Sequence, residues 1–197
     1  MEVTKRERLF LGSGGLAALA LVILGIFNKP AYSSLIAAAV MWSLASLSMI
    51  VLAVTFIHIR RLFDTPAVYL AAAVLFIKAV MVVIPLFVVS ADAESFVGVM
   101  QILRSAVDIL FLAVSAWVAY CGRPVLGGIV SKLIAAMLTI AALGIIANFI
   151  ITWLSLLAWT SCPVFPLLHW VVILSVLLGT GGLGASFIWL AVRNPRG

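Results

Sequence analysis

From Leu9 to Phe27 the chain runs for nineteen residues without a charged side chain, and further long apolar segments, with few charges, follow at about 31–59, 66–90, 95–120, 127–159 and 165–192. Each is close to or longer than the ~20 residues that a helix needs to cross the hydrocarbon core of a bilayer. The predicted fold is therefore an all-α integral membrane protein: a single six-transmembrane-helix bundle over residues 1–197, with no extramembrane domain. Composition agrees, since 66% of the residues are hydrophobic and 9% are charged, where roughly a quarter of a soluble domain is charged.

The net charge of +6 does not argue for nucleic acid, because the basic residues fall in short clusters between apolar segments rather than along one polar face. Basic loops stay on the cytoplasmic side. An N-in, C-in arrangement collects Lys5, Arg6, Arg8, Arg60, Arg61, Arg123, Lys132, Arg193 and Arg196 on that side and leaves Lys29, Asp92 and Glu94 on the other. The expected location is a prokaryotic cytoplasmic membrane with both termini inside. Trp159 and Trp170 would mark the outer boundary and Tyr120 the inner one.

The basic head and first apolar run resemble the start of a signal peptide. The run is long for that role, and Asn28-Lys29-Pro30 follows in place of a small-residue cleavage site, so a retained first helix is expected. Its Gly12, Gly14, Gly15, Ala17 and Ala18 would let a neighbouring helix approach closely. Pro66 suits a helix start, and Pro85 would free the Met81 carbonyl and kink the third helix. Cys121 and Cys162 would lie at opposite faces, which leaves no disulfide between them. Residues 39–47 match residues 135–143 at several Ala, Met and Leu positions, but those residues are so common here that no inverted repeat is read from the match.

Three charged residues stand well inside the apolar segments, away from their ends: Lys78 in the third, and Arg104 and Asp108 in the fourth. An ionised side chain there costs roughly 2.5–3.5 kcal/mol on insertion scales, so each needs a partner, water or a function. Gln101, Arg104, Asp108 and Ser115 fall on one stripe of the fourth helix, and Lys78 and Asp108 would share a depth near the midplane. Two readings follow. Lys78 and Arg104 could present positive charge to an anionic ligand or headgroup while Asp108 balances them or exchanges protons; or the charges could lock two helices together or dock a partner. Two cations against one carboxylate leave a positive charge that the packing reading does not use.

Other polar residues carry less. His58 and His169 sit at opposite ends, which excludes a bis-histidine haem, and each is read as interfacial. No Cys or His spacing offers a metal site, and no cofactor can be named. Gly12-Ser13-Gly14 and Gly179-Thr180-Gly181-Gly182 fall short of a nucleophile elbow. Asn148, Thr152 and Ser155 share a face of the fifth helix, and His169 and Thr180 share one on the sixth; together they could line an outward-opening cavity, or the hydroxyls could bond back to their own helix.

The leading functional expectation is a small transporter or transporter subunit that handles a solute at Lys78, Arg104, Asp108 and Gln101, with Asn148, Thr152 and His169 as further cavity lining and no catalytic or metal residue. The alternative is a non-catalytic subunit of a respiratory, photosynthetic or transport assembly, whose buried charges dock a partner or cofactor. A third, an intramembrane enzyme, would have Asp108 as its one base. Expected partners are the lipid bilayer and other membrane subunits or copies of the chain. A water-accessible cavity reaching the charges separates the first expectation from the second, which predicts none.

Overall fold

A computed structural model describes residues 3–27, 35–63, 65–84, 93–158 and 165–193. These residues are helical, with no strand among them. The helices are α1 (Lys5–Phe27), α2 (Leu35–His58), α3 (Arg60–Phe63), α4 (Ala67–Val83), α5 (Ala93–Cys121), α6 (Arg123–Leu126), α7 (Gly128–Ala158) and α8 (Phe165–Val192).

Five helices contain apolar spans of 20 to 26 residues, long enough to cross a bilayer, and they mark an integral membrane protein. Large apolar side chains such as Leu16, Ile77, Trp117, Leu143 and Leu178 project from the bundle's surface, where lipid is the solvent that accepts them. The third apolar helix, α4, is described over 17 residues, about 26 Å of rise. Of the segment expected to reach residue 90, Pro85 and the residues after it up to 92 lie outside the described residues, as do Asn28-Lys29-Pro30, Trp159 and Cys162.

The long helices form a closed ring in which each packs on its sequence neighbours and α8 returns to α1. Glycine decides that closure. A Cβ on Gly15 would stand 2.7 Å from the Gly184 carbonyl oxygen, and one on Gly184 would stand 2.9 Å from the Gly15 oxygen, so the two backbones touch where they cross. Gly14 leaves the room that Thr55 fills, and Thr55 Oγ1 donates to the Phe10 and Val51 carbonyls at 3.1 and 2.9 Å, tying α2 to α1. Ser46 Oγ donates to the Ala79 carbonyl at 3.1 Å between α2 and α4, and Ser131 Oγ donates to the Ala119 carbonyl between α7 and α5.

Two corners that read as plain breaks in the sequence are single helical turns. Arg60–Phe63 turns α2 into α4. Gly122-Arg123-Pro124 opens α6 rather than a loop, with Pro124 in its first turn, where the missing N–H costs nothing. Gly127, at φ +90°, then reverses the chain into α7 in a conformation that favours glycine. At the other terminus of this end, Thr4 and Glu7 cap α1 reciprocally: the Glu7 carboxylate accepts from the Thr4 backbone N–H and hydroxyl, both at 2.8 Å, and the Glu7 N–H donates to Thr4 Oγ1 at 3.2 Å.

Adjacent helices run antiparallel, so the described cations other than Lys78 and Arg104, namely Lys5, Arg6, Arg8, Arg60, Arg61, Arg123, Lys132 and Arg193, gather at one end of the ring. That basic end is the densely packed one. Its core is Leu11, Leu52, Phe56, Ile59, Phe63, Leu138, Leu183 and Phe187, all at most 2% exposed, with Phe187 edge-on to both Phe56 and Phe63. Packing thins toward the opposite end, and the space so created holds the charged residues.

Candidate functional site: a charged wall in a one-sided cavity

In the half of the ring away from the basic end, the helices enclose a cavity of about 500 Å³ lined by side chains from α1, α2, α4, α5, α7 and α8. Its walls are chemically unequal. Lys78 on α4 and Arg104 and Asp108 on α5 supply its charge, while α1 and α2 present Leu21, Val22, Leu24, Met41, Trp42 and Met49, and α8 presents Ile173, Val176 and Leu177 with His169 and Thr180.

Lys78 Nζ lies 2.6 Å from Asp108 Oδ1, with both side chains about a quarter exposed. Oδ1 accepts no well-directed hydrogen bond, so the contact is an ion pair held by charge rather than by direction. Lys78 Nζ also lies 5.1 Å from the centre of the Phe111 ring, whose π-face attracts a cation most strongly where water is scarce. Phe111 is three residues past Asp108, so one face of α5 holds the ammonium twice. Arg104 stands one turn farther from the basic end, about 6 Å along the axis. It is exposed along the wall and has no ion-pair partner among the described residues. Among the described lining residues the wall therefore carries two cations, Lys78 and Arg104, and one carboxylate, Asp108, a net of +1 from these three.

The sequence-predicted site residues fall into three groups. Lys78, Arg104, Asp108 and His169 are brought together on one cavity. Asn148 and Thr152 are not among its described lining residues; Thr152 Oγ1 donates to the Asn148 carbonyl at 2.8 Å, bonding back to its own helix, and Asn148 Oδ1 is buried without a partner. Gln101 lies on α5, but its side chain is outside the described residues, as is that of Ser155. Ser115 continues the stripe of α5 into the packed half, where its hydroxyl is buried and unpartnered. Sequence reasoning missed Phe111, for which the three-residue step from Asp108 was a usable signal. It also missed the α1 and α2 walls, which carry none.

His58, at the basic end, stacks on Phe10 with ring centres 3.8 Å apart. Its Nδ1 faces the Val54 carbonyl at 2.9 Å, which makes that nitrogen the donor and leaves Nε2 toward Arg6 at 3.4 Å. The Val54 carbonyl is a backbone partner of the kind expected for it. Beside it Glu7, 7% exposed, pairs with Arg61 at 3.4 Å and so links α1 to α3.

No protein-family model matches the chain, and no curated protein or solved structure shows significant similarity to it.

Proposed function

We propose that the protein is a small membrane transporter or transporter subunit that takes a solute into the one-sided cavity and holds it at Lys78, Arg104 and Asp108. In this reading all six long helices span the bilayer as one domain, the basic end is cytoplasmic, and the cavity opens to the outside. The observation that carries it is a cavity of about 500 Å³ that reaches the intramembrane charges, a volume within the roughly 300–1,000 Å³ of pockets that enclose organic ligands. A subunit whose charges served to dock a partner would present those charges on its outer surface or close them between two packed helices.

The mechanism follows from the unequal halves. Solute entering from the open end meets Arg104 first and the Lys78–Asp108 pair one turn deeper, near the middle of α5. Beyond it the Phe56, Phe63 and Phe187 cluster blocks the way, and Glu7 with Arg61 holds α1 against the α2–α4 corner. Passage requires those contacts to part while the open half closes, the rocking of helix groups around a midplane site that alternating access entails. The test is native mass spectrometry of the full chain extracted gently from its own membrane. A monomer or homo-oligomer carrying a stoichiometric small ligand, lost in an Ala45→Trp variant that fills the cavity, is the expected result. A fixed complex with unrelated subunits and no such ligand would overturn the reading.

A further inference from the structure

Three properties of the cavity narrow the chemistry of what it takes. The first is charge. With Lys78 and Asp108 offsetting one another, Arg104 is left as one cation without an ion-pair partner among the described residues. A neutral solute would leave it unpaired, a cationic one would double the excess, and a dianion would reverse it; a single negative charge closes the balance. The second is distribution. The charges occupy two adjacent helices, and the other walls on α1, α2 and α8 are mostly apolar, with Val22, Met41, Trp42, Ile173 and Leu177 alongside His169 and Thr180. A ligand that satisfies both walls has an anionic head and a hydrocarbon body. The third is size, since 500 Å³ far exceeds an inorganic anion, which would leave those walls facing water. Met41 and Met49 add adaptable surface suited to chains of varying shape.

We infer that the cavity's ligand is an amphipathic monoanion, its acid group held at Arg104 beside Lys78 and its apolar body laid against α1, α2 and α8. The inference rests on the reading of the cavity as a solute site. Two sources share this chemistry: a free aliphatic carboxylate arriving from water, and a singly charged anionic phospholipid entering from the bilayer.

The experiment uses the full chain in nanodiscs of zwitterionic lipid, with binding of radiolabelled decanoate measured by scintillation proximity and empty discs subtracted. Saturable binding of one decanoate per chain is expected, with decanol and decyltrimethylammonium competing at least tenfold more weakly. Arg104→Gln weakens decanoate about tenfold, the scale of one lost charge-assisted contact, and leaves decanol unchanged; Arg104→Lys, which restores the charge, recovers most of the loss. Adding phosphatidylglycerol to the disc separates the sources: displacement of decanoate in an Arg104-dependent way assigns the lipid, and undisturbed decanoate binding assigns the free acid. Equal competition by decanol, or an Arg104→Gln variant that binds decanoate normally, overturns the inference while leaving a solute site in place. Failure of decanoate to bind saturably, with no saturable binding of decanol or decyltrimethylammonium when each is labelled in its place, overturns the solute site as well.

Discussion

The contact between Lys78 and Asp108 lends itself to a double-mutant cycle with Lys78→Met and Asp108→Asn, which keep side-chain volume and remove charge. At 2.6 Å and an effective dielectric near 20, the gross attraction is about 6 kcal/mol. Desolvation takes back most of it, several kcal/mol for each ion that leaves water, though both side chains keep about a quarter of their exposure to the cavity. The net coupling should lie between the ~0–1 kcal/mol of a surface pair and the roughly 3–5 kcal/mol cost of stripping one partner from a fully buried one, at about 2 kcal/mol. Each single variant leaves one charge alone on an apolar wall, so Lys78→Met is expected to unfold more readily than Lys78→Met with Asp108→Asn. The assay is reversible unfolding of the purified chain in mixed micelles as denaturing detergent is added, read by circular dichroism, with Arg104→Gln as a third corner expected to couple weakly to either. Additivity of the two single effects to within ~0.5 kcal/mol, or a double variant weaker than both singles, would refute the pairing and with it the charge balance of the cavity.

Gly15→Leu or Gly184→Leu should destabilise the bundle by about 1–3 kcal/mol, because the new side chain meets backbone that cannot yield, whereas Gly181→Ala, with its nearest neighbour Val22 at 3.8 Å, should be neutral in the same unfolding assay. Glu7→Ala should cost about 1 kcal/mol through the lost cap, and Glu7→Gln should recover most of it, since glutamine serves in a capping box and the Arg61 partner is 65% exposed and contributes little; equal loss in both would make the ion pair, not the cap, the source. With Cys121 and Cys162 replaced by serine, Met41→Cys should be labelled by a membrane-impermeant maleimide added outside intact cells and Leu52→Cys, three turns along α2 in the packed half, should not; labelling of Leu52→Cys alone would invert both the cavity and the orientation.

What the sequence made legible follows from how strictly lipid constrains it. A span needs about 20 apolar residues, so the helices could be read from composition and length, and observed ends fall within a few residues of expectation for α5, α7 and α8. An ionisable residue in such a span is costly enough to stand out, so Lys78, Arg104 and Asp108 were visible, and the i, i+4 spacing placed two of them on one face. Partnership was less legible. Gly15 announces that something comes close, but the Gly184 carbonyl that it meets lies 169 residues further along, and nothing local links them. Spacing was also ambiguous for Thr152, whose hydroxyl turned to its own helix, as a threonine in apolar surroundings can always do. Thr4-Lys5-Arg6-Glu7 carried a capping box in plain pattern and was passed over as a basic head.

The cavity itself could not be read, because it is made by what does not pack. Lipid-facing and cavity-facing walls are built from the same residues: Val22 and Ile173 line the cavity, while Ile23 and Leu174, one position on, are exposed. Only the closed ring decides which faces inward. That ring also explains where the charges can reside. In the packed half, Phe56, Phe63 and Phe187 are buried against one another, and the Thr55 and Ser131 hydroxyls bond to carbonyls of neighbouring helices; a Lys–Asp pair there would face full desolvation. Where the helices part, the same pair keeps a quarter of its surface open and an unpaired arginine becomes tolerable. The position of Lys78 and Asp108 at the boundary between the two halves is thus an energetic requirement, whatever the pair does there. In the proposed reading a bound anion would pair with Arg104 one turn away, so that occupancy and closure of that half would favour one another.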